Sequence, residues 1–221
     1  MTRSATRGLW AGIVFLAVCA VIALYIALYL VHVPGSSAAT RGPSGDVQLN
    51  LATVPSAATS DPHPTWVSYY SVNANHQDWQ HVTTYVLPAH TLVHVTIFQY
   101  DSDTGLRNPF ISQAQGTVGG DFTLNGKTMN TIDPNAASHV FAIPAIGLSV
   151  PLEGIPANAK NPCSNAPCSG ADHETIQFTF RTPAKGLYRW QCFVPCAAGF
   201  IDGLGGPMQT VGYMDGYIKV V

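Results

Sequence analysis

The chain has 221 residues, enough for one apolar helix and one domain of ordinary size. Only 10% of it is charged and the formal net charge is −2, with no lysine run or basic patch, which argues against a nucleic-acid partner. With 20 glycines, 16 prolines and short runs of Val, Thr, Tyr and Phe, the composition suits an all-β domain rich in turns and argues against a helix bundle.

Residues 1–8 carry Arg3 and Arg7 and no acidic residue. From Leu9 to Val33 the chain is apolar, and no Asp, Glu, Lys or Arg occurs between Arg7 and Arg41. At about 1.5 Å per residue that stretch spans a hydrocarbon core of roughly 30 Å, so it predicts a transmembrane helix over 9–33. It is longer than the apolar region of about 7–15 residues in a signal peptide, although Ser36, Ser37, Ala38 and Ala39 offer a cleavage site. The positive-inside rule then predicts a single pass of the plasma membrane, with residues 1–8 cytoplasmic and the rest of the chain extracytoplasmic. All 12 acidic residues and 8 of the 10 basic ones follow residue 33. That mildly acidic balance suits solubility and also a cationic partner such as a c-type cytochrome.

Residues 34–64 are rich in Ser, Ala, Thr, Gly and Pro and read as a flexible tether. Strand patterns fill 65–221. Val93, Val95 and Ile97 alternate with His94, Thr96 and Phe98, as in a half-buried strand. Asn125-Gly126 divides the run from Phe122 to Met129 and predicts a type I′ hairpin inside a Gly-rich excursion over 102–134. Ile176, Phe178 and Phe180 mark another strand. Leu187–Cys192 continues it after a turn at Pro183–Gly186, and the chain ends on a strand from Tyr217 to Val221. Short strands at this spacing predict a β-sandwich.

Cys19 falls in the apolar helix, where it is inert packing. Cys163 and Cys168 sit in a Pro/Asn/Ser loop and are candidates for a structural disulfide. Cys192 and Cys196 flank Phe193-Val194-Pro195 directly after a strand. They read either as a second disulfide or as two thiolates facing a soft metal such as copper.

Three segments, in order, resemble the cytochrome c oxidase subunit II family, especially its single-helix branch. The first is Ser138-His139-Val140-Phe141-Ala142-Ile143-Pro144-Ala145-Ile146-Gly147, similar to the family's His-x-aromatic-x-x-Pro-x-x-Gly segment. The second is the strand–Pro–Gly–Tyr–strand unit from Thr175 to Trp190. The third is Cys192-Phe193-Val194-Pro195-Cys196 with Gly199-Phe200, followed by Met214, Gly216 and the final strand. The resemblance implies a cupredoxin-like Greek-key β-sandwich behind one N-terminal transmembrane α-helix. It also implies a binuclear copper centre, CuA, held by His139, Cys192, the Val194 carbonyl, Cys196 and Met214. In that family the centre takes electrons from a c-type cytochrome and passes them to oxidase subunit I in the membrane.

The pattern is broken at one ligand. The second copper histidine of the family corresponds to Phe200, which cannot ligate a metal. Residues Ile201 to Tyr213 lengthen the loop before Met214, and Met208 within it is an alternative thioether. No histidine follows Cys192; His90, His94 and His173 are candidates for a second imidazole. Three readings stay open: an altered copper site for electron transfer, a metal-free accessory or binding module, and a Cu(I) carrier or assembly factor. Without a Ser/His/Asp arrangement, a His-Glu-x-x-His motif or a phosphate loop, an independent active site is not expected.

Overall fold

A computed structural model describes residues 3–27, 35–42, 45–195 and 206–221. The chain divides into two units, residues 1–33 and 34–221.

The first unit is α1 (Arg3–Tyr25). It corrects the expected membrane topology. Among the described residues no helix is long and apolar enough to cross a membrane. Arg3, Ser4, Thr6 and Arg7 occupy the first turns of α1, and its apolar part, from Leu9 to Tyr25, measures about 25 Å at 1.5 Å per residue, short of a core of roughly 30 Å. The single-pass plasma-membrane assignment, with its cytoplasmic and extracytoplasmic sides, is therefore withdrawn. Residues 28–33 of the expected span lie outside the described residues.

The second unit is all β. Its strands in chain order are β1 (Ser36–Ala38), β2 (Thr40–Arg41), β3 (Val47–Val54), β4 (Ser68–Val72), β5 (Trp79–Gln80), β6 (Thr84–Leu87) and β7 (Leu92–Gln99), then β8 (Phe122–Leu124), β9 (Lys127–Met129), β10 (Ala137–Ile143), β11 (Leu148–Glu153), β12 (Glu174–Arg181), β13 (Gly186–Gln191) and β14 (Asp215–Val220). They form two sheets. The larger runs β5-β4-β3-β7-β12-β8-β9, with β2 added beside β3; the smaller runs β1-β6-β14-β13-β10-β11. β3 lies parallel to β7, Val47 opposite Val93, and β14 lies parallel to β6. Most other neighbours are antiparallel, including β7 with β12 over eight residue pairs.

The inward faces follow the period of two. Val93, Val95 and Ile97 of β7 meet Ile176, Phe178 and Phe180 of β12 in the core between the sheets, with Trp190, Phe141 and Tyr69. Phe98 and Tyr100 point to the opposite face, into a smaller cluster with Tyr70, Val72 and Cys168. The loop that covers this cluster is closed by a disulfide between Cys163 and Cys168, whose Cα atoms are 5.5 Å apart. The hairpin at Asn125-Gly126 forms between β8 and β9, with φ of 51° and 79° as a type I′ turn requires.

The segment expected to be a tether differs from that reading. It contributes β3, whose Val47, Leu49 and Leu51 are buried between β4 and β7. Serine and glycine around it carry the composition; the alternating Val-Leu-Leu residues carry the packing.

Candidate metal centre

Two strands of the smaller sheet bring His139 and Cys192 together. His139 lies in β10, where the pairing with β11 shifts register between Ala137 and His139. A bulge of this kind re-aims a side chain. Cys192 directly follows β13, and its N–H donates to the Met214 carbonyl at 3.0 Å, continuing the β13–β14 ladder by one step. That step sets Cys192 beside Met214. Gln191 pairs with Ala142 of β10, which brings the end of β13 alongside His139.

His139, Cys192 and Met214 are all fully buried, and Val194 is nearly so. His139 Nδ1 is 4.0 Å from Cys192 Sγ. The Val194 carbonyl lies 3.7 Å from the same sulfur, and the Val140 N–H donates to it at 3.4 Å. On its far side, the His139 ring meets a carboxylate: Nε2 is 3.1 Å from Asp101 Oδ2. Asp101 is itself held, since its Oδ1 accepts the Ser102 N–H at 2.8 Å and its carbonyl accepts the Ile155 N–H at 2.9 Å.

The electrostatics follow from these contacts. Burial pulls the His139 imidazole down; hydrogen bonds to Asp101 and Cys192, with the charges of both, outweigh it and leave the group raised to about 9. A carboxylate can only accept, so Nε2 carries the proton and Nδ1 is the atom that faces the sulfur. This is the arrangement in which a metal-binding histidine is usually held.

A further carboxylate adjoins the site through the backbone. Asp215, next to Met214, is fully buried and receives Arg189 Nε at 3.0 Å on each oxygen. Met208 is half-buried against the core, and its carbonyl accepts from Gln191 Nε2 at 2.5 Å.

The donor types fit copper. Imidazole nitrogen and thiolate sulfur are its preferred protein ligands, with thioether and carbonyl as weaker ones. At 4.0 Å, Nδ1 and Sγ are close enough for one ion to be held by both. Among the described residues no group of three or more His, Cys, Asp and Glu side chains gathers for a metal. Cys196 and Phe200 lie outside the described residues.

The other histidines go elsewhere. His94 Nδ1 faces Thr179 Oγ1 at 2.9 Å, with Nε2 3.7 Å from Asp46. His90 sits in the turn before β7, its carbonyl accepting from Arg181. His173 packs against His76, Phe98 and Tyr100.

Two groupings went unread in the sequence. Asp101 is one; it stands two residues past β7 and 38 positions before the histidine it holds, with no local signal. The other is an Asp61–His81–Ser68 alignment, with Asp61 Oδ1 3.2 Å from His81 Nδ1 and Ser68 Oγ 2.7 Å from Nε2. It has the atom order of a nucleophilic triad. Ser68 is fully buried in β4, so its hydroxyl meets no substrate; the alignment fastens the 57–66 loop to the sheet, helped by Tyr70 Oη, which donates to Asp61.

No family model and no curated protein sequence matches the chain. Among solved structures, a heme-copper terminal oxidase dimer determined by cryo-EM aligns over 99% of this chain and 100% of its own, at 13% identity and a TM-score of 0.35. The copper protein rusticyanin aligns over 84% of this chain and 82% of its own, at 16% identity and a TM-score of 0.33. Rusticyanin from Thiobacillus ferrooxidans in a further structure gives the same identity and coverage at a TM-score of 0.32. At these scores the likeness adds no weight to the geometry above.

Proposed function

We propose that the sandwich is a copper-binding electron-transfer module of cupredoxin type, and that it delivers electrons in the manner of oxidase subunit II. The observation that carries this reading is the buried approach of His139 Nδ1 to Cys192 Sγ at 4.0 Å, with the ring's other nitrogen held by Asp101.

His139 and Cys192 are the principal ligands in this reading, the Val194 carbonyl and Met214 the weaker ones, and Cys196 the second thiolate that the motif supplies. Copper, when bound, supplies a one-electron couple. The protein supplies the rest. Burial of His139, Cys192 and Met214 excludes water from the donors. The Val140 N–H bonded to the sulfur stabilises thiolate charge. The ladder bond from Cys192 to Met214 and the Asp101 contact hold two ligands against rotation. A site so constrained moves little when its charge changes, which favours fast electron transfer.

On the order of the three motifs, the electron donor is a c-type cytochrome and the acceptor is an oxidase subunit I. Rapid mixing of the copper-loaded chain with a reduced c-type cytochrome tests this. The reading expects cytochrome oxidation at the rate at which the protein's own visible band bleaches. Cytochrome that stays reduced while a copper band is present contradicts the electron-transfer role.

A further inference from the structure

We propose that His76 and His173 form a second metal site, for a divalent transition ion, on the outer face of the larger sheet.

His76 is held before its side chain is considered. It sits in the turn between β4 and β5, where Asn73 Oδ1 accepts the N–H groups of Gln77 at 2.9 Å and Asp78 at 3.2 Å. Its carbonyl accepts from Trp79 Nε1 and from Ser169 Oγ, each at 2.8 Å. Its φ of 44° is left-handed, a region that few residues other than glycine enter. The ring stacks on Phe98 with centroids 4.5 Å apart, and Nδ1 lies 2.9 Å from Tyr100 Oη.

His173 comes from the loop before β12. Its ring centroid is 5.1 Å from that of His76 and 5.0 Å from that of Tyr100. His173 Nδ1 is 3.0 Å from the Ala171 carbonyl. A carbonyl only accepts, so Nδ1 carries the proton and Nε2 carries the lone pair. Tyr100 Oη, 2.9 Å from His76 Nδ1, is able to donate or accept; with the hydroxyl as acceptor, Nε2 of that ring is the ligating atom too. Both rings thus have the outer-shell partner typical of metal-bound histidine.

A groove of about 400 Å³ opens beside His173, lined by Pro156, Ala171, Asp172 and Glu174. The protein supplies two imidazoles and water completes the shell. Such a donor set takes copper(II) most tightly, then nickel(II) and zinc(II), and disfavours magnesium and calcium.

Zinc(II) alone is the probe, because it leaves thiols unoxidised. The full chain is treated with diethyl pyrocarbonate with and without zinc(II), and labelling at each histidine is read by peptide mass spectrometry. The site predicts at least fivefold slower labelling of both His76 and His173, with His94 as an exposed reference that keeps its rate. Unchanged labelling at either His76 or His173 overturns a shared ion. Calorimetry with zinc(II) then compares H76Q and H173Q with the unaltered chain: each weakens this binding event at least tenfold, and wild-type affinity in both overturns the site.

Discussion

His139 Nε2 and Asp101 Oδ2 are 3.1 Å apart, a contact that joins the smaller sheet to the loop leaving β7 of the larger one. It decides which nitrogen of His139 faces Cys192. Replacing Asp101 by Asn keeps the shape and removes the charge, and the amide can offer its own N–H to the ring. The expected result is a 10- to 100-fold loss of copper affinity, the usual cost of losing an outer-shell carboxylate. A competitive titration against a chelator of known affinity measures it, and equal affinities for D101N and the unaltered chain would sink the positioning role.

Gly154 sets where that carboxylate stands. A Cβ at this position would lie 2.6 Å from the Ser102 carbonyl carbon and 2.7 Å from Asp103 Cα, closer still to the Asp103 nitrogen. The loop must therefore shift when Gly154 becomes Ala. Overpacking of this kind costs about 1–3 kcal/mol, visible as a lower urea midpoint. Copper affinity should fall with it, because Asp101 moves with Ser102.

Arg189 and Asp215 form an ion pair of unequal exposure: the arginine side chain is 47% exposed and the carboxylate is fully buried. Removing the arginine strands the carboxylate beside Met214. We expect Arg189→Ala to destabilise the sandwich by about 1–3 kcal/mol, the cost of a buried group left without its partner, screened in part by water on the arginine side. Arg189→Lys restores only a fraction, since an ammonium cannot reproduce the two-point contact. Denaturant unfolding of the two variants checks both statements.

Glu153 offers a pH test. Burial, together with the charges of Glu174 and Asp133, raises its carboxyl above the ordinary 4.5. The folded state then holds this proton more tightly than the unfolded state, so stability from this group is present below pH 4.5 and declines as pH rises through the folded value. Glu153→Gln removes the dependence. Its midpoint should exceed that of the unaltered chain at pH 7 and match it near pH 4; a midpoint difference independent of pH would contradict the assignment.

The parts of this molecule that could be read in advance are those with a local cause. Asn125-Gly126 marks a hairpin because few other residues accept two positive φ angles in succession. The alternation from Val93 to Ile97 marks a strand because one face must be buried. β3 escaped because Val47, Leu49 and Leu51 are embedded in serine- and glycine-rich flanks that look unstructured. The apolar run from Leu9 was evident, but not that α1 would take in Arg3 and Arg7 ahead of it. His139 and Cys192 are 53 positions apart, and only the order of motifs suggested that they meet. Asp101 and the Asp61–His81–Ser68 alignment are assembled by the sheets and had no sequence signal at all.

The most direct test of the central claim, that Cys192 and His139 hold copper, is an anaerobic copper titration of the full chain followed by visible absorption, with C192S and H139A run in parallel. The account predicts a thiolate-to-copper charge-transfer band that saturates in the unaltered chain and is shifted or lost in both C192S and H139A. A colourless chain after copper loading, or a band of unchanged position and intensity in H139A, would contradict it.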